Sequence, residues 1–252
     1  MPATASHPPG SFCWIELATT DAAAARDFYT RLFDWSVRDV PMGDFGTYHI
    51  LQKDGRDTGA LYQMGPDMKD VPPNWLSYVA VENVDAAAEK IQSLGGKIHM
   101  PPMDVFESGR MLVAAVPQDA VFAVWQAKAH HGIGVRDEAN TLCWNELQAR
   151  DVDAAKAFYP ALFGWRMKES PEYTEWHLGE HAVGGMLPVP MPQIPPHWLP
   201  YFAVDDCDAA VERAGSLGGA TLVPPTDIEH VGRFAVIADP QGAAFAVIKL
   251  SF

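Results

Sequence analysis

The strongest constraint on what this chain can fold into is a repeat. Phe12-Cys13-Trp14-Ile15-Glu16-Leu17 returns about 130 residues later as Leu142-Cys143-Trp144-Asn145-Glu146-Leu147. The residues that follow return with it. After the first copy come Asp21, Phe28-Tyr29, Leu32-Phe33 and Trp35; after the second come Asp151, Phe158-Tyr159, Leu162-Phe163 and Trp165. The spacing is the same in both copies, so this is a duplicated unit and one folding solution must serve twice.

Within a copy the pattern runs extended, helical, then extended again. The stretch from Phe12 to Ala18 reads as a strand, and Asp21 stands where a helix N-cap belongs, ahead of apolar Phe28, Leu32 and Phe33. Further strands are expected around 35–39, 47–51 and 58–63, separated by Gly- and Asp-containing turns. A Pro-rich connection over 65–73 leads to a second unit: strand 75–81, helix 84–94 closed by Gly95-Gly96, and strands near 97–100, 110–116 and 121–126. The second half replays this order. Its strands are expected at 141–148, 165–168, 174–178, 183–187 and 198–204, with helices from Asp151 to Phe163 and over 207–217. Leu94-Gly95-Gly96 matches Leu217-Gly218-Gly219, Pro101-Pro102 matches Pro224-Pro225, and Gly109-Arg110 matches Gly232-Arg233. The reading is an α+β chain of four βαβββ units in two tandem modules, 12–128 and 141–252. A polar linker over 129–140 joins them, and a Pro-rich, poorly ordered tail over 1–11 precedes them.

A chain of 252 residues is long enough for two such domains, each with its own core. The formal net charge of -14, from 32 acidic and 18 basic residues, repels phosphate backbones and anionic headgroups. Nucleic-acid and membrane partners are therefore not expected. Three cysteines in no framework spacing argue against a disulfide-stapled domain, and Cys13 and Cys143 read as small core residues. Neither a signal-peptide pattern nor a membrane-length apolar run is present, so the expected location is the cytoplasm.

Several fragments carry a family resemblance: Glu16-Leu17 through Asp21, Phe28-Tyr29 and Phe33-Asp34-Trp35; Tyr201-Phe202-Ala203-Val204-Asp205-Asp206; and Asp239-Pro240-Gln241-Gly242-Ala243. In this order and twice over, they resemble the vicinal oxygen chelate superfamily, which includes glyoxalase I, bleomycin-resistance proteins and extradiol dioxygenases. The resemblance implies a cup-shaped mixed sheet in each module, with helices outside and metal ligands projecting inward. It places those ligands at Trp14 and Trp144, seven residues before the helix-opening Asp, at Leu76 and Leu199, and at Ala123 and Ala246. None of these side chains can bind a divalent cation, and strands 58–63 and 183–187 offer no carboxylate or imidazole. The expectation is a chain without the family metal and without another cofactor.

Strand alternation then says what faces inward. Phe12, Trp14, Glu16 and Ala18 share one face, and so do Trp144, Glu146 and Gln148. The first cup is expected to be lined by Trp14, Glu16, Leu76, Tyr78 and Trp125, the second by Trp144, Glu146, Leu199, Tyr201 and Ile248. An aromatic cavity with a single acid suits a planar organic ligand. Burial beside Trp would equip Glu16 and Glu146 for proton transfer, and these are the candidate catalytic residues. Each Glu could equally hold a neighbouring hydroxyl or backbone group. Arg110 and Arg233 would either clamp an anionic group or support a turn. His49 and His177 read as equivalent positions, either an acid/base pair or satisfied sheet histidines, while His130-His131 reads as solvated and His197 with Trp198 as a pocket rim.

The function expected from these residues is a metal-free protein that binds a small aromatic or hydrophobic metabolite, sequestering it as bleomycin-resistance proteins do. The alternative is a glyoxalase-related lyase or isomerase, or a hydroxylase-like catalyst, using Glu16 or Glu146 as acid/base. Metal-dependent glyoxalase or dioxygenase activity is the family default that the missing ligands count against. A small molecule is the expected partner, with the chain a monomer or a homodimer.

Overall fold

The computed structural model of the protein describes residues 7–117 and 119–251. Positions 1–6 of the expected tail and the final residue, 252, lie outside the described residues. In the first half β1 (Phe12–Thr19), α1 (Ala22–Phe33), β2 (Ser36–Pro41), β3 (Thr47–Lys53) and β4 (Arg56–Gln63) form one βαβββ unit. The next is β5 (Asn74–Ala80), α2 (Val84–Ser93), β6 (Lys97–Val105), β7 (Gly109–Ala115) and β8 (Val121–Ala127). The second half gives β9 (Leu142–Ala149), α3 (Val152–Phe163), β10 (Arg166–Glu169), β11 (Thr174–Leu178) and β12 (His181–Pro188). It closes with β13 (His197–Ala203), α4 (Cys207–Ser216), β14 (Ala220–Ile228), β15 (Gly232–Ala238) and β16 (Ala244–Leu250). Two eight-stranded mixed sheets result, in the orders β2-β3-β4-β1-β5-β8-β7-β6 and β10-β11-β12-β9-β13-β16-β15-β14. The four-unit α+β reading is therefore what the chain adopts.

The helices begin where the sequence says they should. Asp21, Asn83, Asp151 and Asp206 each accept a hydrogen bond from the backbone N–H three residues on, satisfying one orphan donor per helix. One strand departs from expectation. β6 does not stop at Met100 but runs through Pro101-Pro102 to Val105, with register shifts on either side of Met100. It is an edge strand, where a residue without an N–H leaves no ladder partner unpaired.

Compactness divides the chain differently from the repeat. One unit comprises the chain up to Trp14 with Leu76–Gly132 and Trp144–Leu199; the other comprises Ile15–Trp75, Ile133–Cys143 and Pro200 onward. Each unit thus takes one βαβββ segment from each half. The core of the first is aromatic: Phe12, Phe122, Phe158, Tyr159, Trp165 and Trp176 are almost wholly buried, and Trp198 Nε1 donates to Tyr159 Oη at 2.9 Å. The core of the second repeats the motif with Phe28, Tyr29, Phe33, Phe202 and Phe245, and Trp75 Nε1 donates to Tyr29 Oη at 3.0 Å. There the same hydroxyl donates to buried Asp239 at 3.0 Å; burial raises that carboxyl above its usual range, against hydrogen bonds from the Ala243 N–H, the Tyr29 hydroxyl and the Gln241 N–H that lower it.

Phe12 corrects the strict alternation. Its ring packs 5.7 Å from Trp165 and 5.0 Å from Trp198 in the core, not on the face of Trp14 and Glu16. A large apolar ring at a strand end gains more from that aromatic cluster than from keeping parity. Asn145 is fully buried where the first copy has Ile15, and its Oδ1 accepts from Ser77 Oγ at 2.8 Å. The tail from residue 7 onward is tied down: Gly10 N–H donates to Ala80 O at 2.8 Å, and Gly10 O accepts from Trp165 Nε1 at 2.7 Å.

Candidate functional site

The expected lining residues fall into three groups of side chains rather than two cups. In β9, Leu147 and Ala149 face the core that holds α3, so alternation turns Glu146 and Gln148 to the other face with Trp144. Glu146 is 7% exposed. Its Oε2 accepts from Tyr173 Oη at 3.0 Å and its Oε1 from Gln148 Nε2 at 2.8 Å. Trp144 Nε1 donates to Tyr173 Oη at 2.8 Å, so the phenol accepts from an indole while donating to a carboxylate. Such a chain polarises in one direction, toward the acid. Burial, then the nearby Glu146 charge, pushes the Tyr173 phenol well above its usual range and keeps it a donor. Gly185 makes room for this ring. It pairs with Glu146 across β12, and a Cβ there would lie 2.6 Å from Tyr173 Cε1 and closer still to the hydroxyl.

A related pair stands in the other unit. Glu16 Oε2 accepts from Tyr48 Oη at 2.7 Å, and the Tyr48 ring stacks on Tyr62 with centroids 6.4 Å apart. Burial, followed by the charges of Glu16 and Asp67, raises the Tyr62 phenol above its usual range. The Glu–Tyr contact is thus duplicated. Sheet register shows why the tyrosines were not paired in the sequence. Leu61 pairs with both Leu17 and His49, and Met186 pairs with both Leu147 and Thr174. His49 therefore corresponds to Thr174, and Tyr48 to Tyr173. The expected equivalence of His49 with His177 fails because the chain from Trp165 into β11 is five residues shorter than the chain from Trp35 into β3; the irregularity within the strand is common to both copies, at Leu51/Gln52 and at Trp176/His177. Each histidine instead meets a carboxylate, His49 with Asp39 at 2.7 Å and His177 with Glu175 at 3.0 Å.

The third group is aromatic. Trp14, Tyr78 and Trp125 are nearly buried, and the His130 ring stands edge-on to Trp14, centroids 4.4 Å apart, and 5.9 Å from Trp125. Trp125 Nε1 donates to the His130 carbonyl at 2.9 Å. His130 is thus packed rather than solvated, because the chain after β8 folds back onto the Glu107 and Ser108 carbonyls and Gly132 sits against the Cys13 carbonyl too closely for any Cβ. Leu76 is half-buried on β5, and Tyr78 Oη lies 3.9 Å from Met111 Sδ. In the other unit Tyr201 packs against Phe234 with ring centroids 6.3 Å apart, and Ile248 is buried; Leu199 is buried in the first.

Both arginines are engaged by carboxylates. Arg110 meets Asp85 at 2.9 and 3.0 Å and Asp104 at 3.3 Å; Arg233 meets Asp208 at 2.6 and 2.9 Å and Asp227 at 3.2 Å. Each ties a strand to the first turn of a helix, which is turn support of the kind weighed from the sequence. His197 Nδ1 lies 2.9 Å from the Pro195 carbonyl, and burial lowers its basicity.

The donor set does not fit a divalent metal. Among the described residues no three His, Cys, Asp or Glu side chains converge, and the positions implied for family ligands hold Trp14, Leu76, Ala123, Trp144, Leu199 and Ala246. Cys13, Cys143 and Cys207 are buried free thiols; burial pushes the first two up to about 12 and the third to about 11.

The model of the Glyoxalase/Bleomycin resistance protein/Dioxygenase superfamily matches residues 11–123 and again 141–247. CFP32 of Mycobacterium tuberculosis, which bears a provisional glyoxylase name, is 40% identical over 99% of this chain and 98% of its own length. The anthracycline biosynthesis protein DnrV of Streptomyces peucetius is 36% identical over 96% of this chain and 94% of its own. Two solved structures share the fold. The Mn(II)-bound glyoxalase from Novosphingobium aromaticivorans has a TM-score of 0.66 at 16% identity, covering 96% of this chain and 82% of that one. The 2,3-dioxygenase LapB from Pseudomonas sp. KL28 has a TM-score of 0.67 at 11% identity, covering 99% and 94%.

Proposed function

Since the chain belongs to the Glyoxalase/Bleomycin resistance protein/Dioxygenase superfamily, yet holds apolar residues at the positions implied for its metal, we propose that it binds a small aromatic or hydrophobic metabolite without a metal. The observation that carries this reading is the Trp144–Tyr173–Glu146–Gln148 network. It is a nearly buried acid flanked by an indole, with its oxygens held as acceptors. Such a surface orients a flat molecule by stacking and one directed hydrogen bond. Kinship with a protein named for anthracycline biosynthesis supports fused aromatic rings as the ligand class. Sequestration of the ligand is the proposed role, with the small molecule as partner and the protein a cytoplasmic monomer or homodimer. No helix among the described residues is long and apolar enough to cross a membrane.

A second reading rests on the duplicated Glu–Tyr contact. In it, Glu146 or Glu16 takes a proton from the bound molecule in a lyase or isomerase reaction. Glu146→Gln and Glu16→Gln separate the two: a binder keeps most of its affinity, whereas a proton-transfer enzyme loses turnover and keeps binding. The test of binding itself is a thermal-shift screen of polycyclic aromatic metabolites with excess EDTA present. A ligand at one hundred times its Kd stabilises by about 2.7 kcal/mol. The reading fails when no aromatic compound shifts the midpoint, or when every shift needs added metal.

A further inference from the structure

Gln148 is 8% exposed, and its amide orientation is dictated by its neighbour. Nε2 must face Glu146 Oε1, 2.8 Å away, because the reverse orientation would set two acceptors against each other. That choice leaves Gln148 Oε1 buried with no hydrogen-bond partner. A buried acceptor without a donor is costly, and such groups in folded proteins call for an explanation. The acceptor lies on the same strand face as Trp144 and Glu146, in the region already read as a ligand site. The repeat isolates it as a feature of one copy only: Ala18 occupies the place of Gln148 in the first copy.

Resting on the aromatic-binding reading above, we propose that the Glu146 site recognises a hydroxylated aromatic, whose hydroxyl donates to Gln148 Oε1 while its ring packs on the Trp144 indole. The Glu16 site, with a methyl group at the equivalent position, makes no such distinction. The two sites then select different molecules despite their common fold. Recognition by the amide explains why Gln148 is kept against Glu146 rather than rotated. It also predicts that capping the ligand hydroxyl forfeits the gained bond, because the amide oxygen then stays unpaired in the complex as it is in the free protein.

The test uses 2-naphthol and 2-methoxynaphthalene as probes at pH 7, each titrated into the full chain and followed by tryptophan quenching. The wild type is expected to favour 2-naphthol by about tenfold. Gln148→Met, which keeps volume but removes the acceptor, is expected to bring the ratio close to one while affinity for the ether changes little. Gln148→Ala, the residue that the fold already accepts at position 18, guards against a folding defect and should behave alike. Equal binding of the two probes by the wild type overturns the hydroxyl subsite and leaves aromatic binding standing. Discrimination that survives both substitutions overturns it as well. Failure of both probes to bind at any concentration overturns the aromatic-binding reading, and this inference with it.

Discussion

Gly185→Ala is the sharpest perturbation the site permits. The added Cβ would sit 2.6 Å from Tyr173 Cε1, where carbon pairs prefer about 3.5–4.0 Å, and still closer to the hydroxyl end. The phenol has to retreat by roughly an ångström or more, which breaks its bonds to Glu146 (3.0 Å) and from Trp144 (2.8 Å). Losing a hydrogen bond to a charged group costs about 1.5–3 kcal/mol and a neutral one about 0.5–1.5 kcal/mol. Alanine in place of glycine within a strand returns about 0.5–1 kcal/mol. The net expectation is a loss of about 2–3 kcal/mol, read as a lower urea midpoint at unchanged m-value. In a Tyr173→Ala background the clash is gone, and the same substitution should be neutral or stabilising by about 0.5–1 kcal/mol. A neutral Gly185→Ala in the wild type, or an equal cost in both backgrounds, would refute the claim that this glycine exists to seat Tyr173. Ala60 stands at the corresponding place beside Glu16, so the strand itself accepts a methyl group; the ring position is what forbids it.

Three further outcomes are expected. Cys13, Cys143 and Cys207 should resist a thiol reagent such as DTNB at pH 8 in the folded protein and react together on unfolding, since burial holds all three as thiols; fast labelling of one of them would contradict the packing. His197 is less basic in the folded state than in the unfolded chain, so below its unfolded value of about 6.5 the unfolded state binds more protons and stability falls with pH. His197→Gln should flatten the stability profile between pH 7 and 5; an unchanged slope there would show that the imidazole is not the group responsible. Arg233→Gln releases Asp208, whose carboxyl is held below its usual range chiefly by the hydrogen bond from Arg233. Stability supplied by that pairing is present above the unfolded value of about 3.8 and lost as pH falls below it, so the variant should lose less on acidification than the wild type. Equal acid sensitivity in urea melts would rule the pair out as a contributor.

Much of the fold was legible because repetition supplied its own check. Asp21 and Asp151 cap helices in both copies, and Gly95-Gly96 and Gly218-Gly219 end the other two as read. Faces were harder. Alternation placed Glu16 and Glu146 correctly relative to Leu17 and Leu147, yet it put Phe12 on the wrong side, because a strand end is free to follow the nearest aromatic cluster. The tyrosines that complete the acid sites were missed for a specific reason. His49 and His177 offered an attractive alignment, but the turn before β11 is five residues shorter than the one before β3, and only strand pairing through Leu61 and Met186 shows that Tyr48 and Tyr173 are the corresponding pair. His130 was missed because a Gly- and His-containing segment looks polar in sequence, while its packing depends on Trp14, far away along the chain, and on a fold-back that returns it to nearby Trp125. Gln148 was visible on the right face, but its unpaired oxygen is a property of three-dimensional neighbours that no spacing reveals.

The most direct test of the account is metal content at equilibrium. The purified chain would be dialysed against excess Mn(II), Fe(II), Ni(II) or Zn(II), freed of loose ions, and analysed by mass spectrometry of the elements. Sub-stoichiometric metal is expected in every case, with aromatic binding unchanged by EDTA. One tightly held ion per chain, removed together with ligand binding by chelation, would contradict it.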